Sequence, residues 1–64
     1  MKKIKAIFKG TNGSCGYELD KEYNLYIESN TSGIIIRRNR EGWGICIYSN
    51  IEKFLENWDN IRVL

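Results

Sequence analysis

Apolar and polar residues alternate along most of this chain, and helical spacing occurs only once, near its C-terminal end. A period of two places successive side chains on opposite faces of a strand, so it selects half-buried β-structure. In residues 2–9, KKIKAIFK, Ile4, Ala6 and Phe8 share one face and Lys3, Lys5 and Lys9 the other, with Ile7 as the one break. Residues 10–16, GTNGSCG, carry three glycines and read as a loop that continues through 17–22. In 22–28 the alternation resumes, with Tyr23, Leu25 and Ile27 expected inward and Asn24, Tyr26 and Glu28 outward. Asn30-Thr31-Ser32-Gly33 reads as a turn. A β-branched strand follows over 33–38, and 39–42 is expected to be a tight connection to a strand over 43–48. In that strand Trp43, Ile45 and Ile47 are expected to face the core, leaving Cys46 and Tyr48 on the other side.

The period then changes. Ser49-Asn50-Ile51-Glu52 fits a capping box with Ser49 as N-cap. Ile51, Phe54, Leu55 and Trp58 follow at i, i+3, i+4 and i+7, which predicts a helix over about 50–58 whose apolar face lids the core. Residues 61–64 close with a last short strand. The expected fold is mainly β, one domain over 1–64: a small SH3-like five-stranded antiparallel barrel with one short helix before the last strand. The alternative is a curved antiparallel sheet with the helix packed on one face (an α+β arrangement).

A chain of 64 residues buries only about 60% of the surface its unfolded form exposes, and small domains commonly recruit disulfides or metals. With no histidine and only Cys15 and Cys46, the composition offers no standard zinc site, and none is expected. Lys2, Lys3 and Lys5 are followed by only a short apolar stretch, Ala6-Ile7-Phe8, so neither an export signal nor a membrane span is expected. The cytoplasm is the expected location, and the two cysteines are then expected to be free thiols. Eight aromatics, each able to bury about 150–250 Å2, are expected to supply the core instead.

Gly16-Tyr17-Glu18-Leu19-Asp20-Lys21-Glu22-Tyr23-Asn24-Leu25, followed by Tyr48-Ser49-Asn50-Ile51-Glu52-Lys53-Phe54-Leu55-Glu56-Asn57-Trp58, resembles a group of small uncharacterised proteins encoded by phages and prophages of Gram-positive bacteria. The likeness runs from about Phe8 to Ile61 and rests on positions a core would require. It implies a phage accessory protein acting in the bacterial host cell. It brings no catalytic residues with it.

Catalysis is not expected. Histidine, the commonest general base at neutral pH, is absent, and either cysteine would lack a His partner. Glu18, Asp20 and Glu22 alternate around Lys21 as a solvated loop would. Gly10–Gly16 lacks the Lys-Ser/Thr and following helix of a phosphate loop. So short a chain also leaves little room for a pocket, and no cofactor is expected.

Two surfaces remain as candidates. Arg37, Arg38 and Arg40 flank the expected hairpin turn near Trp43, and Lys3, Lys5 and Lys9 line the first strand. Together they could grip nucleic acid, although the pI of 8.6 lies below the value of about 9 that marks a basic footprint. The arginines are expected to be dispensable for folding. Tyr17, Tyr26 and Tyr48 are expected outward and form, with Arg37, Arg38 and Arg40, a candidate protein-binding surface. The expected function is therefore a non-enzymatic binding module that modulates or inhibits a host protein, as a monomer or small homo-oligomer. The alternatives are a nucleic-acid binder, and an oligomeric sponge for a phosphorylated small ligand in host defence.

Overall fold

The computed structural model describes residues 2–31, 33–39, 41, 42 and 44–64. The chain forms β1 (Lys2–Phe8), a 3-10 turn (Ser14–Gly16), β2 (Glu22–Asn30), β3 (Gly33–Arg37), β4 (Cys46–Tyr48), α1 (Ile51–Asn57) and β5 (Trp58–Val63). The strands make one antiparallel sheet in the order β4-β3-β2-β1-β5. The fold is mainly β, with one short helix before the last strand, as the periodicity predicts.

The barrel does not close. β4 and β5 are the two edges of the sheet, and α1 lies between them in the chain. Strand β4 spans only three residues, too few to continue a ladder across that gap, and Phe54 and Trp58 fill it with side chains instead. The arrangement is the open sheet with a helix packed on one face.

Alternation governs β1 and β2. Ile4, Ala6 and Phe8 are buried, and their cross-strand partners Leu25, Tyr23 and Trp58 face the same core. The core also takes Ile34 and Ile36 from β3, Cys46 and Tyr48 from β4, Phe54 from α1, and Tyr17 from the long loop. Trp58 lies at the centre of the aromatic packing: Phe8 and Tyr17 each sit with ring centroids 5.0 Å away, Tyr23 at 6.2 Å and Phe54 at 6.4 Å. Its Nε1 donates to the Tyr48 hydroxyl at 2.9 Å, so the polar atoms of both buried side chains are satisfied.

Three expectations change. First, β4 presents the opposite face. Ile34 pairs with Tyr48 and Ile36 with Cys46, so burying the isoleucines buries Tyr48 and Cys46 too, and Ile45 and Ile47 turn outward. The β3–β4 connection runs over 38–45, longer than the tight turn expected, and Trp43 lies outside the described residues. Second, Asn50 caps α1, its Oδ1 accepting from the Lys53 amide at 2.9 Å. The helix thus starts one residue later than the Ser49 box implies. Third, β5 begins at Trp58, so the helix has only two turns, and of its expected apolar face Phe54 and Trp58 are buried while Ile51 and Leu55 are about half exposed.

Trp58→Ala is expected to cost about 3–5 kcal/mol, a large fraction of the stability of so small a domain. Leu55→Ala is expected to cost about 1 kcal/mol or less. Denaturant titration of the two variants checks the difference; equal losses would show that the helix, not the indole, carries the core.

Candidate functional site

The five described cations of the candidate basic surface are engaged within the molecule. Arg37 leaves the outer face of β3 and meets Glu28 at 3.5 Å. Lys5 meets Glu22 at 3.8 Å, and Arg62 meets the same carboxylate at 2.8 Å. Lys9 pairs with Asp20 at 2.7 Å, a hydrogen-bonded contact that holds its ammonium above the ordinary lysine value. Lys3 rests over the Tyr26 ring at 5.8 Å. Arg40 lies outside the described residues.

Arg38 has a different place. Its guanidinium stands 4.9 Å from the centroids of both Tyr17 and Tyr23, and Nη2 donates to the Gly16 carbonyl at 2.9 Å. Arg37 and Arg38 therefore go to opposite sides of the strand end, as adjacent residues must. Arg38 fastens the long loop to the sheet, which corrects the expectation that all three arginines are dispensable for folding.

The three tyrosines do not form one surface. Tyr17 is fully buried, its hydroxyl donating to the Gly44 carbonyl at 2.7 Å. Gly44 has φ of 68°, and a Cβ there would press to 2.9 Å from that hydroxyl, so glycine is required for both reasons. Tyr48 is buried under Phe54 and Trp58. Only Tyr26 is partly exposed, on the outer face of β2 beside Arg37. The outward placement of Tyr17 and Tyr48 is thus corrected: the loop folds Tyr17 onto the core, and the register of β4 turns Tyr48 inward.

Burial sets the titration of both hidden phenols. Desolvation pushes Tyr17 up to about 12, with the Arg38 cation opposing it. Desolvation also raises Tyr48, with the Cys46 contact adding to the shift.

What stays exposed is apolar. Ile45 and Ile47 retain 46% and 65% of their surface at the β4 edge, and Ile47 sits directly opposite Ile35 on the outer face. Ile51 and Leu55 stand out on α1. A groove of about 430 Å3 lies between Ile51 and the β2–β3 hairpin, floored by Ile27 and Ile34 and rimmed by Lys2 and Glu28. A second cleft of about 320 Å3 lies over Lys3, Asn24, Tyr26, Arg38, Asn39 and Glu41. Both reach the lower end of the range of ligand pockets, about 300–1,000 Å3, more concavity than chain length suggested. The sequence reading missed the Ile45–Ile47 edge because it placed β4 in the opposite phase. The isoleucines of β3 carry the signal that would have corrected it, since their partners must share their face. Among the described residues no cluster of His, Cys, Asp and Glu suits a metal ion, and no helix is long and apolar enough to cross a membrane.

Searches of protein-family models, curated proteins and solved structures find no match to this chain.

Removing Arg38 is expected to loosen the loop: Arg38→Ala should cost about 1–2 kcal/mol, from two ring contacts and one hydrogen bond. Arg37→Ala should cost at most about 1 kcal/mol, the usual limit for a surface pair. Chemical denaturation of both variants checks the order, and an equal or reversed order would remove Arg38 from the fold's support.

Stability should also fall in alkali. The folded state keeps Tyr17 and Tyr48 protonated above the ordinary phenol value of about 10, so it binds more protons than the unfolded chain there. Their contribution is complete below about pH 10 and is lost as pH rises toward 12. Melting temperature measured from pH 9 to 12 should drop across that window, with phenolate absorbance rising as the protein unfolds; an unchanged melting temperature would contradict the burial of these phenols.

Proposed function

We propose that this protein is a stoichiometric, non-enzymatic binding module whose partner is a protein, docked along the outer edge of β4. The observation that carries the reading is the exposure of Ile45 and Ile47 on a strand at the edge of the sheet. Such an edge offers backbone donors and acceptors to an incoming extended segment, and alternate side chains supply its specificity. Ile47 and its neighbour Ile35 give that segment an apolar surface to cover. The cations expected to hold nucleic acid are instead neutralised by Glu22, Glu28 and Asp20 or set against aromatic rings, which favours a protein over a polyanion. The resemblance to phage and prophage proteins supplies the context: an accessory protein in the host cytoplasm that occupies and modulates a host component.

Burying one isoleucine is worth about 1.5–3 kcal/mol, so Ile47→Lys should weaken partner binding on the order of tenfold to a hundredfold. Immobilised wild type and Ile47→Lys are exposed to nuclease-treated host lysate, and a protein retained only by the wild type is purified and its affinity for both measured. Retention unaffected by Ile47→Lys would rule out the β4 edge. Capture that depends on nucleic acid surviving would replace the protein reading by the nucleic-acid one.

A further inference from the structure

The Gly-rich loop is fastened to the β3–β4 region at two consecutive residues. Arg38 holds the Gly16 carbonyl at 2.9 Å, and Tyr17 reaches the Gly44 carbonyl at 2.7 Å. Two residues before Tyr17 stands Cys15, and two residues after Gly44 stands Cys46. The docking brings these thiols together: the Cys15 side chain hydrogen-bonds to that of Cys46, whose Sγ in turn donates to the Tyr48 hydroxyl at 3.4 Å. Cys15 holds a left-handed backbone, φ 53°, inside the 3-10 turn, a conformation uncommon for a side chain of this kind and kept only where the surroundings determine it. Both cysteines are free; Cys15 lies at the exposed surface and Cys46 is buried behind it.

We propose that Cys15 and Cys46 form an oxidative modification site, closed by an oxidant of the peroxide class into an intramolecular disulfide that ties the Gly-rich loop to β4. The exposed thiol meets the oxidant. The Cys15 sulfur, as thiolate, attacks one peroxide oxygen; the O–O bond breaks, and the departing hydroxide takes up a proton as water. The Cys46 sulfur then attacks the Cys15 sulfenic acid, the S–O bond breaks, and the thiol proton leaves with the hydroxyl as a second water. Two thiols lose two electrons and two protons, and one peroxide becomes two waters. Desolvation, with the Cys46 contact second, pushes the Cys15 thiol up to about 11, so the reaction is slow at neutral pH and the pair rests reduced. The site faces inward from β4, so it stands independently of the binding reading for the outer edge.

The folded wild type and Cys15→Ser, which changes only an exposed loop side chain, are treated with excess hydrogen peroxide at pH 8 and compared before and after reduction. The wild type should lose two hydrogens by mass and both titratable thiols while remaining monomeric. Its melting temperature should rise on the order of 10 °C, because the crosslink closes a long loop in the unfolded chain, and a thiol reductant should reverse the rise. Cys15→Ser should show no rise. Any of four results would overturn the proposal: intermolecular dimers, an oxidised Cys15 with Cys46 still titratable after unfolding, no reaction, or a crosslink without a rise in melting temperature.

Discussion

The structure depends on how one indole is held. Trp58 is the last residue of the helical spacing and the first residue of β5, so it joins the two periodicities of the chain. Its ring receives Phe8 from β1, Tyr23 from β2, Tyr17 from the loop and Phe54 from α1, and its Nε1 reaches Tyr48 of β4. Every element except β3 and the 3-10 turn thus contributes a side chain to it. A sheet whose two edges do not pair needs such a centre, because no ladder connects β4 to β5. Large rigid aromatics supply much buried area per residue at a small entropic cost, which suits a chain with little length and no crosslink in its reduced state.

Much of this was legible in the sequence, and what was not has identifiable physical causes. β1 and β2 could be read because their alternation is nearly unbroken and one face is plainly cationic or polar. The phase of β4 could not be read locally. Ile45, Cys46, Ile47 and Tyr48 are all apolar enough for either face, and only the pairing of Tyr48 with Ile34 and of Cys46 with Ile36 decides. Single-strand periodicity contains no such information. The helix start was ambiguous for a similar reason: Ser49 and Asn50 are both strong N-caps, and the chain's path out of β4 selects Asn50.

The candidate sites were less legible than the fold. Charge counts treat each lysine and arginine as available, whereas their availability depends on neighbours brought up from distant segments. Glu22 lies far in sequence from both Lys5 and Arg62, yet strand pairing sets all three side by side. Arg38 lies even further from the residue it holds, Gly16, and its contact forms only once the loop has folded back. The same folding back hides Tyr17, whose loop position alone suggested exposure. Loop residues are read as exposed because most are; a large aromatic in a small domain is the case in which burial of area outweighs that tendency.

These constraints divide β4 between two tasks. As a three-residue edge strand it has hydrogen-bonded strand pairing on one side only, and its inner face is held by Tyr48 under Phe54 and Trp58 and by Cys46 against Cys15. Gly33 allows the start of β3 to approach this strand closely, since a Cβ there would overlap the Tyr48 carbonyl oxygen. The inner face is therefore already determined by packing, hydrogen bonds and a backbone contact. The outer face and free edge carry no such constraint, and there the chain places isoleucine twice. Because successive residues alternate faces, a change at Ile47 reaches solvent and a change at Cys46 reaches the core, although the two are adjacent in sequence. Core support and surface recognition can thus be varied separately on the same three residues, which a longer, doubly paired strand of a closed barrel would not permit at its edge.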